Sequence, residues 1–181
     1  GFHRVKLKEG KDFGRSGVGI AASVTRDTGY RNEEGVDQEK VSLRHRLEWD
    51  STVITSGLTY THLDQETAGY IEGFESYKNT QIAKSNPNPE AFRKAESFRL
   101  WSKFDTSFSG GHALSITPYV RNQDMRFRMH FLPGKPLETN TQKGVGALSQ
   151  FNYVINDSLS ADIGLDVEYT EGELTQSQDS A

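Results

Sequence analysis

The side chains best suited to chemistry lie between positions 121 and 131. Met125, Phe127, Met129 and Phe131 alternate there with Arg126, Arg128 and His130, and Arg121 precedes them. A guanidinium offers a planar fork of N–H donors that grips carboxylate or other anionic oxygens in pairs, and aromatic rings supply a surface for stacking. Arg121, Arg126 and Arg128, with Tyr70 and Trp101, are therefore the candidate ligand-binding residues, for an anion. The same alternation also fits a strand pair that simply continues past the apolar part of the fold. Both readings stand at this stage.

Other chemistry finds no foothold. His3, His45, His62, His112 and His130 do not form an i,i+4 pair, and none joins carboxylates at metal-ligand spacing. Cys is 0, which removes thiolate sites and disulfides. There is no G-x-S-x-G elbow, no phosphate loop and no G-x-G-x-x-G turn. Asp162 and Asp166 stand at strand spacing and read as a solvated wall, not as a glycosidase pair. The chain is expected to be no enzyme, to hold no cofactor and no metal, and to bind no nucleic acid, since its net charge is -4.

The elements that position these residues are strands. From Leu159 to Tyr169 the odd positions are apolar (Leu159, Ala161, Ile163, Leu165, Val167, Tyr169), and the even ones are Ser160, Asp162, Gly164, Asp166 and Glu168. A period of two is a strand with one greasy and one polar face. Val41 to Trp49 repeats the pattern, interrupted only by His45, a tolerated polar position or one near a partner. Weaker copies start near Val18, Ile54, Phe98, Leu114 and Val145, and Phe2 to Lys8 makes a partial one, about eight strands in all.

The connections alternate in length. Glu9 to Gly14 is short, Asp50-Ser51, Ser109 to Gly111 and Asn156 to Ser158 are tight, while Asp27 to Gln38, Leu63 to Ala95 and Asn122 to Gln142 are long. After Tyr169 a polar segment opens. Within the longest loop, Asn86 to Ala95 reads as a turn and a short helix, with Pro89 near its first position. Short turns at one end and long loops at the other mark an outer-membrane barrel. Trp49, Phe108 and Tyr153 would form one aromatic girdle and Tyr60, Phe98 and Tyr169 the other. The charged second face (Arg44, Arg46, Glu48, Arg99, Asp162 and others) calls for water in a wide lumen.

Composition agrees. The 181 residues fit one domain or a piece of one, 34% are hydrophobic, and mean hydropathy is -0.69. That is thin for a self-sufficient core, where about 45–50% is usual on a count that includes Gly. No run approaches the roughly 18 apolar residues of a membrane helix. No secretory signal opens the chain.

Taken together, "RDTGYR" (Arg26 to Arg31), "LTYTHLDQETAGY" (Leu58 to Tyr70), "SNPNPEAFRKAESFRLWSKFD" (Ser85 to Asp105), "ITPYVRNQDMRFRMHFLPGKPLE" (Ile116 to Glu138) and "LDVEYTEGELTQSQ" (Leu165 to Gln178) resemble the barrel of TonB-dependent outer-membrane receptors. The resemblance implies an all-β, antiparallel transmembrane β-barrel whose eight meander strands belong to a 22-stranded type, the second to ninth strands of it. Residues 1–181 would be a partial barrel domain without the plug and the C-terminal strands. The implied location is a bacterial outer membrane. The implied function is TonB-dependent import of a ligand such as a ferric siderophore, with TonB acting on the absent plug, so no residue here is assigned to TonB contact. The rivals are a passive porin-like barrel, which lacks a plug, and a secreted all-β carbohydrate-binding module, which needs no detergent.

Overall fold

The computed structural model describes residues 1–178. Eight strands follow one another: β1 (Phe2–Asp12), β2 (Ser16–Asp27), β3 (Val36–Trp49), β4 (Thr52–Glu66), β5 (Phe92–Ser107), β6 (Ala113–Arg128), β7 (Leu137–Asn156) and β8 (Leu159–Ser177). They form one antiparallel sheet in the order β1 to β8, a pure meander. Among the described residues β1 and β8 each pair on one side only, so the sheet is open.

Opposed residues of an antiparallel pair share a face, so the register divides the sheet cleanly. One rung runs Ile20, Leu43, Leu58, Leu100, Val120, Val145 and Tyr169 across β2 to β8. The adjacent rung on the other face runs Arg44, Gly57, Trp101, Tyr119, Gly146 and Glu168 across β3 to β8. The alternation expected from the sequence therefore becomes two continuous faces.

The apolar face has no second layer. Among the described residues the buried apolar side chains are Ala83, Ala91 and Met129, all outside the strands, while Leu43 is 41% exposed and Leu165 is 68% exposed. Leu159 to Tyr169 spans about 34 Å along its strand, or about 24 Å along a bilayer normal at a tilt of about 45°. The apolar band also slides across the sheet. Its last member toward the loops is Val24 in β2, whose rung carries Glu39, His62, Glu96, Asp124 and Glu173 on later strands. In β8 the band stops at Tyr169, two rungs lower. A diagonal band is what tilted strands require of a horizontal apolar slab.

Several boundaries differ from the expectation. β4, β5, β6 and β7 extend the sheet well past the apolar band, leaving loops at 28–35, 67–91 and 129–136, and β8 continues beyond Tyr169 to Ser177. Ladder hydrogen bonds do not need apolar side chains, so most of these extensions leave no hydropathy signal; the alternation from Met125 to Arg128 is the exception, and there the strand continues as that alternation allows. The first turn falls at 13–15 and not at Glu9 to Gly14. The helix is also elsewhere. Helix α1 is Thr80–Lys84, and Asn79 caps it by accepting from Gln81 N at 3.0 Å and Ile82 N at 3.3 Å. Asn86 and Asn88 each precede a proline, which disfavours helical backbone, and Asn86 instead accepts from Asn88 N at 2.9 Å. Phe92 to Ala95 then pair with Glu66 to Leu63 as strand.

Candidate functional site

The polar face is organised by glycines that let long side chains lie flat. A Cβ on Gly57 would lie 2.6 Å from Trp101 Cε2 and Cζ2, so the indole covers that glycine, and Arg44 stands over the indole, 5.7 Å from its ring centre. The pattern recurs three strands on. A Cβ on Gly146 would lie 2.6 Å from Tyr119 Oη, and one on Gly144 would lie 2.8 Å from Arg121 Nε. Tyr119 and Arg121 of β6 thus cross β7 over its glycines. Tyr119 Oη donates to Glu168 Oε2, and Arg121 Nη2 donates to Glu168 Oε1 and to Thr170 Oγ1 on β8. Arg121 Nε is left without an acceptor among the described residues.

The loop end of the sheet is built around Arg31. Its Nε and Nη2 donate to Ser85 O at 3.0 and 2.8 Å, and its Nη1 donates to Gly69 O. One guanidinium thereby ties the neck of the loop 67–91 to the loop 28–35. Asn32 N donates to Lys84 O at 2.9 Å, Asn86 Nδ2 donates to Glu33 O at 3.0 Å, and Lys84 stands over the Tyr30 ring. On the other side Lys135 Nζ meets Glu90 Oε1 at 2.5 Å, which joins the loop 129–136. That contact holds the Glu90 carboxyl below its usual range, through the Lys135 hydrogen bond first and a backbone hydrogen bond next. A cleft of about 820 Å³ opens beside the neck, lined by Tyr30, Arg31, Phe74, Tyr77 and Ala83. Phe74 is 96% exposed there.

The candidates from sequence part company in space. Trp101 and Arg121 share the polar face on neighbouring rungs, since Trp101 opposes Tyr119 and Arg99 opposes Arg121. Arg126 lies on the opposite face, level with Lys94 and Thr139. Arg128 has the same parity and donates to Lys135 O at 3.2 Å, shaping the loop 129–136. Tyr70 is exposed in the loop 67–91 next to Gly69, whose carbonyl Arg31 holds. Sequence reasoning missed Arg31, and it missed Tyr119 and Glu168 as partners of Arg121. For the latter the Gly144-x-Gly146 spacing inside a strand was the available signal, because glycine in a strand marks a close approach.

No family model matches the chain, and no curated protein sequence matches it. Solved structures do match in fold. The unliganded form of the ferric citrate transporter FecA superposes with a TM-score of 0.75 over 97% of this chain at 12% identity. The siderophore receptor PiuA from Acinetobacter baumannii gives 0.68 over 97% at 13% identity. At such identities the likeness is one of fold. The chain spans 26% and 29% of the length of those two proteins.

Proposed function

We propose that this chain is part of a larger outer-membrane β-barrel that imports a small ligand, a ferric siderophore, in a TonB-dependent manner. The observation that carries the reading is the apolar band, which no layer of the described residues covers and which runs diagonally across the strands. In hydrocarbon an unpaired strand edge is untenable, so in this reading the edges of β1 and β8 are paired within a closed barrel. The fold likeness to a ferric citrate transporter and a siderophore receptor supports the choice among barrels.

In this reading the polar face lines the lumen and the long loops form the extracellular mouth. Trp101 and Arg121 contact the ligand from the wall, where Glu168 and Thr170 fix the Arg121 guanidinium. Tyr70 contributes from the mouth beside the Phe74 and Tyr77 cleft, and Arg126 and Arg128 stand at its rim. TonB acts through a plug outside this chain.

The test uses the full-length parent protein. Extraction that needs detergent, gel migration that changes on heating, and binding of one ferric chelate from a panel are expected. Protein that stays soluble without detergent would mean that the apolar face meets a second sheet, and the membrane assignment would go. A detergent-dependent barrel that binds no chelate would point instead to a porin-like protein.

A further inference from the structure

Charge on the polar face is segregated, and the register shows how. Between β1 and β5 one rung carries Lys6, Ser23, Lys40, Thr61 and Ser97. The next carries Lys8, Ala21, Ser42, Thr59 and Arg99, and the third Gly10, Gly19, Arg44, Gly57 and Trp101. From β1 to β5 no carboxylate stands on these rungs; the third reaches one at Glu168 on β8. On β1 to β5 the acids of the same face lie to either side, Asp27 beside the loops and Asp12, Glu48 and Asp105 nearer the short turns, where Glu48 meets Arg46 at 2.6 Å and Asp105 meets Lys103 at 2.9 Å. Among the described residues Lys6, Lys8, Lys40, Arg44 and Arg99 form no ion pair.

We propose that Lys6, Lys8, Lys40, Arg44 and Arg99 form a binding wall for a multiply charged anionic solute bearing carboxylate or phosphate groups. The patch measures about 19 Å across four strand spacings and about 14 Å along the strands. Lys6 and Lys40 lie about 10 Å apart on one rung, with the Ser23 hydroxyl between them. Cations at such spacing repel one another until an anion enters, and the interleaved Ser and Thr hydroxyls offer further donors. The step of about 7 Å from Lys6 to Lys8 along β1 lets an anion pass from one cation to the next without a single deep trap. Rings of Lys and Arg select anions in pores by this means. The solute is recognised by its charge, whether or not it carries iron. Lumen placement rests on the barrel reading above; the charge pattern itself does not.

The experiment titrates the full-length protein in detergent with tripolyphosphate, in the absence of iron. Wild type is expected to bind with an affinity that falls steeply as salt rises. A Lys6→Gln/Lys8→Gln/Lys40→Gln variant is expected to bind at least about tenfold more weakly, the effect of removing one charge-assisted hydrogen bond. Lys94→Gln/Lys143→Gln, on the opposite face, should bind within about twofold of wild type, because exposed substitutions away from a site do little. The single inversion Lys8→Glu, titrated alongside, gives a readout should the triple variant fail to show heat-modifiable migration, and is expected to weaken binding in the same direction. Equal binding by wild type and variants overturns the proposal. So does a wild type that binds no tripolyphosphate, the result expected if an acidic protein surface already occupies the wall. Loss of detergent dependence overturns the barrel reading instead, and is seen separately from the titration.

Discussion

The close approach of Trp101 to Gly57 can be tested with a double-mutant cycle. In the structure a methyl group at position 57 would lie 2.6 Å from two indole carbons, about 1 Å inside ordinary contact. Gly57→Ala must therefore push the indole off the wall, and Arg44 loses its ring. Overpacking of this kind costs about 1–3 kcal/mol, and removing an exposed cation–π interaction about 0.5–1 kcal/mol. Without the indole the same change should do the reverse. In a Trp101→Ala background Gly57→Ala is expected to stabilise by about 0.5–1 kcal/mol, since alanine loses less backbone entropy than glycine. The coupling between the two sites is thus at least about 2 kcal/mol, a thirtyfold or larger change in the folding equilibrium. The assay is urea unfolding of the full-length protein in lipid vesicles, followed by heat-modifiable gel migration. An equal effect of Gly57→Ala in both backgrounds would refute the packing of the indole on the strand.

Three further outcomes are expected. Leu43→Arg, at the middle of the apolar band, should cost about 2–4 kcal/mol in lipid vesicles. Its neighbour Ser42→Arg on the polar face should stay within about 0.5 kcal/mol, and equal costs would mean that neither face meets lipid. Arg31→Ala should speed proteolysis and amide exchange across residues 69–85, while Arg31→Lys should not restore protection, because an ammonium cannot reproduce the fork that holds Ser85 O and Gly69 O. The Lys135–Glu90 tie should be pH-dependent. Glu90 has a depressed value in the folded loops, so its contribution is present above the ordinary 4.5 and is lost as pH falls through the lower folded value. Amide exchange in 129–136 should rise with that fall in wild type and be insensitive to it in Glu90→Gln.

Much of the sheet was legible because strand side chains alternate at a period of two that no other element shares. Leu159 to Tyr169 and Val41 to Trp49 announce themselves, as do the turns at Asp50-Ser51 and at Asn156 to Ser158, the second of which the structure narrows to Asp157-Ser158. The extensions beyond the band were legible only in part. Met125 to Arg128 alternate apolar with charged residues, which fits a continuing strand or a ligand mouth, and their pairing with Leu137 to Asn140 decides for the strand. The helix expected after Asn86 fell to the same cause. Phe92 to Ala95 were claimed by ladder bonds to β4, a competitor that local propensity does not see.

The candidate site divides along the same line. Residue types made Trp101, Arg121, Arg126 and Arg128 plausible partners for an anion, and parity alone separates Trp101 and Arg121 from Arg126 and Arg128. What parity cannot show is which strands lie side by side. Register placed Tyr119 over Gly146, brought Arg121 to Glu168 across an intervening strand, and gathered Lys6, Lys40 and Arg99 onto one acid-free wall. The strands, their two faces and the length asymmetry of the loops follow from local periodicity and turn chemistry, so the residues alone disclose them. The glycine slots, the Arg31 neck and the distribution of charge depend on residues that are far apart in the chain and meet only across the folded sheet.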